Sequence, residues 1–118
     1  LNEASLIVSA TTSQTPLLLK AHPGAFIAAV GANRPDMAEV APEVVRQAQL
    51  YVDTLEGARS EAGDLIQAQV DWSRVQSLES ALQQARPKAG IVLFKSVGHA
   101  LWDLAAARLA AQSLSQRS

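Results

Sequence analysis

The sequence predicts an α/β domain built on a parallel sheet. Four short apolar runs alternate with segments of helical character, and this alternation is typical of parallel strands joined by helices. The second run, residues 25–30, is apolar without a break and is followed at once by Gly31 and a proline-containing turn. Such a run suits a strand buried on both faces, although the pattern alone does not exclude a helix. We expect a single domain over residues 1–118, with about four mainly parallel strands, flanking helices and a long C-terminal helix.

The first strand is predicted over residues 5–10, which are rich in branched side chains. Residues 11–16 carry several hydroxyl side chains and Pro16, and they are predicted to form the loop at the carboxyl end of this strand. The short apolar segment 17–20 has no clear assignment. His22, Pro23 and Gly24 predict a turn before the second strand.

Helical signals follow the second strand. Asp36 and Glu39 have the spacing of a capping box, which predicts a helical turn. Pro42 suits the first turn of a helix that continues through residue 48. A third strand is predicted over residues 50–54. Residues 55–66 are predicted to be mostly helical, with two glycines weakening the helix.

The last third of the chain shows the same alternation. Residues 70–74 are predicted to be a polar-aromatic connection, and helical spacing of leucines predicts a helix over residues 77–85. A breaker at residues 86–90 precedes the fourth strand, residues 91–94. The best-defined element is an alanine-rich helix over residues 99–113, and the tail 115–118 is expected to fray. The apolar side of this helix carries Leu101, Leu104, Ala105 and Leu109.

In a parallel sheet with right-handed crossovers, all strands end at one edge, and ligands bind just beyond that edge. The loops at residues 11–15, 31–36 and 95–98 are therefore expected to converge there, with the loop after Val52 nearby.

Size and composition exclude several functions. The chain has 118 residues, 48% of them apolar, which predicts a globular domain with a modest core. A net charge of −1 gives no electrostatic reason to expect nucleic acid or an anionic membrane as partner. There is no cysteine, hence no disulfide framework. No apolar run approaches the roughly 20 residues of a membrane span. His22 and His99 lie in unrelated elements, so no metal site is expected.

Polar residues at the predicted edge have a structural and a functional interpretation. Thr11, Thr12 and Ser13 either satisfy their own turn backbone or donate to a ribose or nicotinamide. Gly31 allows close backbone approach to a ligand, or is needed only for the turn. Asn33 either holds a ligand through its amide or caps a turn.

Five further polar residues also have a structural and a functional interpretation. Asp36 is predicted to be a helix cap rather than an acid. Lys95 lies in a loop that either engages a phosphate or nicotinamide or is solvated. Glu61 and Asp64 are three residues apart, and the preferred interpretation is a solvated helix face. His99 is predicted to start the last helix.

Four segments carry a resemblance beyond these patterns. Together, and in this order, they resemble the ornithine cyclodeaminase/mu-crystallin family over nearly the whole chain. The last segment is most similar to the branch that reduces Δ1-pyrroline-2-carboxylate. The segments are Ala-Thr-Thr-Ser-Gln-Thr-Pro (10–16), Pro-Gly-Ala-Phe-Ile-Ala-Ala-Val-Gly-Ala-Asn-Arg-Pro-Asp (23–36), Glu-Ala-Gly-Asp-Leu (61–65) and Leu-Phe-Lys-Ser-Val-Gly-His-Ala-Leu-Trp-Asp-Leu-Ala-Ala-Ala-Arg (93–108).

The resemblance implies a substrate and dimerisation domain plus a Rossmann-like domain that binds NAD or NADP. This chain matches the later part of that domain, a partial three-layer sandwich, and we expect a fragment or truncated product. The resemblance assigns cofactor contacts to Thr11, Val30, Gly31, Ala32, Ser96 and Val97. It places Asn33 where ornithine cyclodeaminases carry a proton-transferring aspartate. An amide is neither acid nor base, which disfavours a cyclodeaminase.

The resemblance implies a parent protein that reduces a small cyclic imino acid with NADH or NADPH, and we expect the protein to be cytoplasmic. The chain alone is expected not to turn over substrate, and whether it binds nucleotide alone is left open. An alternative is a stand-alone, non-catalytic interaction module. Because half a sheet leaves an edge and an apolar face uncovered, we expect a homodimer or higher oligomer.

Overall fold

The computed structural model describes residues 2–117, and they contain one five-stranded sheet in which every pairing is parallel. The spatial order of the strands is β1-β2-β5-β3-β4, so the second and fourth predicted strands lie side by side at the centre. The strands are β1 (Leu6–Ser9), β2 (Phe26–Ala29), β3 (Gln49–Val52), β4 (Val75–Ser77) and β5 (Val92–Lys95). The predicted parallel α/β architecture is confirmed, with one strand more than expected.

The core lies on one face of this sheet. The register aligns Ile7, Ile27, Leu93 and Leu50 across four strands, and all four are buried. Helices cover this face, and their buried residues join the same apolar cluster. The helices on this side are α1 (Pro42–Gln47), α2 (Leu55–Glu61) and α3 (Gly63–Gln67).

The opposite face of the sheet is largely open. Leu6 and Val8 are 65% and 66% exposed, and Phe26 is 42% exposed. The helix α4 (Leu78–Leu82) contacts β3 and β4 on this side. A groove of about 440 Å³ runs between α4 and the aromatic side chains of Phe26, Tyr51 and Phe94.

The structure differs from the sequence prediction at two places. The strand β4 is not predicted, because Val75–Ser77 has three residues and a single apolar side chain. The predicted helix over 55–66 is broken at Ala62 into α2 and α3. Gly63, the first residue of α3, packs so closely that a β-carbon there would collide with the carbonyl oxygens of Arg34 and Met37.

The segment before α1 is not helical, so the prediction of a helical turn at Asp36 is wrong. Residues 37–40 are instead extended enough for Val40 to pair with Leu18 in an isolated parallel bridge. The backbone carbonyl of Glu39 accepts hydrogen bonds from Leu17 and Leu18. The crossover from β1 to β2 therefore contains no helix, and its apolar segment is tied to the chain before α1.

The C-terminal helix α5 (Ala100–Gln116) is longer than predicted and extends into the tail that was expected to fray; Ser118 lies outside the described residues. Every residue of α5 is exposed, including the predicted apolar side. None of the helices in residues 2–117 has the length and apolar character needed to cross a membrane.

Candidate functional site at the carboxyl edge of the sheet

The loops predicted to converge do lie together at the carboxyl edge. The N–H of Val30 donates to Ser9 O at 2.9 Å, and the N–H of Ser96 donates to Ala29 O at 3.0 Å. The exits of β1, β2 and β5 are thus neighbours. Two buried carboxylates organise the edge. Glu39 holds the loops after β1 and β2, and Asp53 holds the loops after β3 and β5.

Glu39 organises the loops after β1 and β2. Its side chain is buried, and it accepts hydrogen bonds from the backbone N–H groups of Thr11, Gly31 and Ala32. The Gly31 and Ala32 bonds, both to Oε2, measure 2.9 and 3.3 Å. A β-carbon on Gly31 would collide with the Thr11 backbone and with Oε1 of Glu39. Only glycine allows this approach.

These hydrogen bonds stabilise the ionised form of Glu39. Burial disfavours the charge, but the backbone N–H groups of Thr11 and Gly31, the Thr11 hydroxyl and the Ala32 N–H outweigh that effect. Together they hold the pKa of the carboxyl below its ordinary value of 4.5. An ionised carboxylate accepts hydrogen bonds and donates none, which suits a position surrounded by N–H groups.

Glu39 is in turn held by a buried ion pair. Asp64 Oδ1 accepts the backbone N–H groups of Glu39 and Val40 at 2.6 and 2.8 Å. Asp64 Oδ2 lies 3.3 Å from Lys95 Nζ, and both side chains are fully buried. Lys95 Nζ also donates to Ala29 O at 3.2 Å. The chain Lys95–Asp64–Glu39 thus links the strands β5 and β2 to both loops.

This ion pair corrects two predictions. Asp64 does not lie on a solvated helix face with Glu61; it is buried, while Glu61 is exposed. Lys95 is not in an exit loop and does not face a phosphate, because it is the last residue of β5 and its side chain points into the core. Charged side chains are rarely fully buried unless they are paired, and here each charge has a partner.

Asp53 organises the loop after β5. It directly follows β3 and is 4% exposed. Its Oδ2 accepts hydrogen bonds from Ser96 Oγ at 2.9 Å, Val97 N at 3.0 Å and Gly98 N at 2.9 Å. Its Oδ1 accepts from Thr54 N at 3.0 Å, and the Thr54 side chain caps α2. The Ser96–Gly98 loop is therefore fixed by a carboxylate more than 40 residues away in sequence.

The structure brings the residues assigned to cofactor contacts into two groups. Thr11, Gly31 and Ala32 meet at Glu39, and Val30 precedes them with 44% exposure. Ser96 and Val97 meet at Asp53 and are half-buried. The turn interpretation of residues 11–15 also holds, since Ser13 N donates to Thr11 Oγ1 and Ser13 Oγ donates to Thr15 O.

Three other residues predicted from the sequence lie outside these two groups. Asn33 is exposed, and its side chain caps neither a helix nor a turn among residues 2–117. Asp36 is not a helix cap but forms an exposed ion pair with Arg34 at 2.9 Å. His99 starts α5 as predicted, with Nδ1 accepting the Leu101 N–H at 3.1 Å. In the described part of the chain, no three His, Asp or Glu side chains are placed to hold a metal ion.

Sequence reasoning missed Glu39, Asp53 and Lys95 as the groups that build the edge. Glu39 lies between Ala38 and Val40 in a run of buried residues, and Asp53 directly follows a buried strand. An acidic residue inside an apolar run is the one local signal for such a role, since burying it requires hydrogen-bond donors nearby. The donors themselves come from distant loops and are not visible in the sequence.

Parallel sheets of this kind occur in the Rossmann-like domains of NAD-binding dehydrogenases and reductases, which are the solved structures that superpose on this chain. The sequence model of the ornithine cyclodeaminase/mu-crystallin family matches residues 1–118. The chain belongs to this family, as the four segments indicated.

Similar proteins agree with this assignment. The Δ1-pyrroline-2-carboxylate reductase 2 of Burkholderia ambifaria is 49% identical over 113 residues, which cover 95% of this chain and 36% of that relative. The Δ1-pyrroline-2-carboxylate reductase of Thermococcus litoralis, solved with NADH and L-proline, superposes with a TM-score of 0.87 at 28% identity, over 98% of this chain and 39% of the other. The iminosuccinate reductase of Paracoccus denitrificans, solved with NAD+, gives 0.86 at 26%, over 98% and 38%.

The Thermococcus litoralis and Paracoccus denitrificans structures contain NADH and NAD+, which supports NAD(P) use in the family. The chain spans little more than a third of the length of the relatives it matches.

Proposed function

We propose that this chain supplies the nicotinamide side of the active site in an NAD(P)H-dependent reductase of cyclic imino acids. In that reductase the chain forms the C-terminal portion of the Rossmann-like domain, and we place the protein in the cytoplasm. The observation that carries the proposal is the pair of loops at the carboxyl edge, one gathered by Glu39 and the other by Asp53. The names of the relatives support the substrate class.

The surface of the edge fits a nicotinamide ring. The acidic and basic groups that support the two loops, Glu39, Asp53, Asp64 and Lys95, are buried and engaged in the hydrogen bonds described above, and the exposed charges of the second loop, Arg34 and Asp36, pair with each other. The exposed side chain of Val30 and the backbone around Gly31 therefore present a largely uncharged wall. A flat, mostly apolar ring with one amide suits such a wall, and a phosphate does not.

When bound, a reduced nicotinamide would supply the hydride for the imine carbon, and the imine nitrogen would take its proton from water, which would yield a cyclic amino acid. In our proposal Thr11, Val30, Gly31, Ala32, Ser96 and Val97 orient the ring. Asn33 lies next to this wall, at the position of the cyclodeaminase aspartate, and its amide neither donates nor removes the proton in the reaction. This favours a reductase over an ornithine cyclodeaminase.

A chimera tests the proposal. The matching 113-residue segment of the Burkholderia ambifaria reductase is replaced by this chain, and reduction of Δ1-pyrroline-2-carboxylate is followed with NADH and with NADPH. We expect the chimera to turn over and the 118-residue chain alone not to. A folded chimera without turnover contradicts the proposal, and turnover by the chain alone contradicts the claim that it supplies only one side of the site.

The open sheet face favours a second candidate, a stand-alone oligomeric module without catalysis. Leu6 and Val8 form an apolar patch on the edge strand β1, and all of α5 is exposed. Patches of this kind mark association surfaces. Light scattering at micromolar concentration is expected to show a dimer or higher oligomer. A monomer under these conditions excludes this candidate and leaves the chimera experiment unaffected.

A further inference from the structure

We propose that Glu39 is a positioning residue for hydride transfer, because it holds the loops of Thr11 and of Gly31 and Ala32 in one fixed arrangement beside the nicotinamide. The proposal rests on the proposed function and extends it to a residue that the wall itself does not expose. Glu39 is buried and does not touch the ring; it acts through the backbone of the two loops.

The convergence of three N–H donors on one carboxylate is the first observation. Thr11 donates from the β1 exit, 28 residues away in sequence, while Gly31 and Ala32 donate from the β2 exit. A carboxylate has two oxygens that both accept hydrogen bonds, whereas a glutamine of the same shape offers one oxygen and an amino group that repels N–H donors. The ionised acid is therefore required for the arrangement, and its volume alone is not sufficient.

The anchoring of Glu39 is the second observation. Its own N–H and that of Val40 are bonded to Asp64, which is paired with Lys95. Because Lys95 donates to Ala29 O, at the end of the strand that leads into Gly31, the same network fixes both the carboxylate and the loop it binds.

The tight packing at Gly31 is the third observation. A β-carbon at Gly31 would overlap the Thr11 backbone and the Glu39 carboxylate, so the two loops have no room to approach further. Loss of the carboxylate can only let them separate. Displacement of the hydride donor, the nicotinamide ring, by about 1 Å slows hydride transfer by as much as about a hundredfold.

The first test is single-turnover kinetics in the chimera with Glu39→Gln and, as matched control, Glu43→Gln. Glu43 is exposed in the first turn of α1, outside both loops. The decay of NADH absorbance is followed by stopped flow with excess enzyme, and NADH deuterated at C4 identifies the hydride-transfer step. We expect E39Q to lower the rate constant by about tenfold to a hundredfold with its amplitude preserved, and E43Q to change neither.

Because NADH is limiting, it sets the amplitude, and the limiting rate constant reached at saturating enzyme separates positioning from stability. A merely structural role reduces the fraction of folded enzyme, which raises the enzyme concentration needed for half-saturation and leaves the limiting rate constant unchanged. An E39Q rate constant equal to that of the unsubstituted chimera overturns the positioning role. An unsubstituted chimera that consumes no NADH overturns the proposed function and the positioning role with it.

The second test does not depend on catalysis. Amide hydrogen exchange in the 118-residue chain is compared for E39Q, E43Q and the unsubstituted protein. We expect the amides of Thr11, Gly31 and Ala32 to exchange at least about tenfold faster in E39Q alone, with the amide of Leu93 in β5 unchanged. Unchanged exchange at all three positions shows that Glu39 does not hold the loops and overturns the inference, even when the chimera is active.

Discussion

Removing either partner of the buried Asp64–Lys95 pair should destabilise the protein strongly, whereas removing both should add little more. Asp64→Asn removes the charge that faces Lys95 and keeps an oxygen for the backbone N–H groups of Glu39 and Val40. Lys95→Met removes the ammonium and retains most of the volume of its stem. Each single variant leaves one buried charge without its partner, and the double variant leaves none.

The geometry gives the magnitude. Lys95 Nζ and Asp64 Oδ2 are 3.3 Å apart, and both side chains are fully buried. At an effective dielectric constant of about 20, their attraction is about 5 kcal/mol. Breaking a buried pair by removing one partner costs about 3–5 kcal/mol. We expect each single variant to lower the free energy of unfolding by that amount, and the pair to show a coupling energy of about 3 kcal/mol.

Urea unfolding followed by circular dichroism measures the four free energies of this double-mutant cycle. The exposed Arg34–Asp36 pair is the matched control. Its charges are only 2.9 Å apart, but its side chains are 61% and 56% exposed, so the cycle of Arg34→Met and Asp36→Asn should give less than about 1 kcal/mol. Effects at Asp64 and Lys95 that add within about 0.5 kcal/mol would refute the reasoning.

Three more predictions concern stability. Because the pKa of Glu39 is lowered in the folded protein, its ionised form contributes stability that is complete above pH 4.5 and is lost as the pH falls through the folded pKa. Urea unfolding at stepped pH should show that the free energy of unfolding falls more steeply with acid in the unsubstituted chain than in E39Q. Equal slopes of this free energy against pH contradict the prediction. Gly31→Ala should lower the free energy of unfolding by about 2 kcal/mol or more through overpacking. Gly24→Ala should be nearly neutral, because a β-carbon there meets only the His22 ring at 3.6 Å. Similar urea midpoints for the two variants argue against the close approach of the Gly31 and Thr11 loops. Leu65→Ala, at a fully buried position, should lower the free energy of unfolding by about 2–5 kcal/mol. Leu82→Ala, at 82% exposure, should lower it by less than about 0.5 kcal/mol. Thermal melts that rank the two variants the other way would contradict the assignment of the core to the sheet face that α3 covers.

The elements that depend on local sequence pattern could be predicted from the sequence alone. The uninterrupted apolar run at residues 25–30 contains a central strand, β2, and its position predicts that the loop from Gly31 onward lies at the ligand edge. The alternation of strands and helices predicts parallel pairing. Helical spacing of leucine and alanine predicts α5, and His99 caps it as expected.

What the sequence could not show depends on partners distant along the chain. Glu39 is ionised and buried because N–H groups from Thr11 and Gly31 meet it in space, and Asp53 is buried because the loop after Ser96 folds onto it. Asp64 lies three residues after Glu61 on the same predicted helix, and nothing in the local sequence indicates that it faces Lys95. These carboxylates are isolated in the sequence, and only the fold supplies the donors that make their burial favourable.

The central claim is that the loops at Thr11, Gly31 and Ser96 form the nicotinamide side of a reductase site. A crystal structure of the chimera with bound NADH tests it most directly. The account predicts that the nicotinamide ring lies against Val30, Gly31 and Ala32, with Ser96 and Val97 beside it, and that Glu39 keeps its three backbone hydrogen bonds beneath. A nicotinamide ring bound away from both loops, with NADH held in full occupancy, would contradict it.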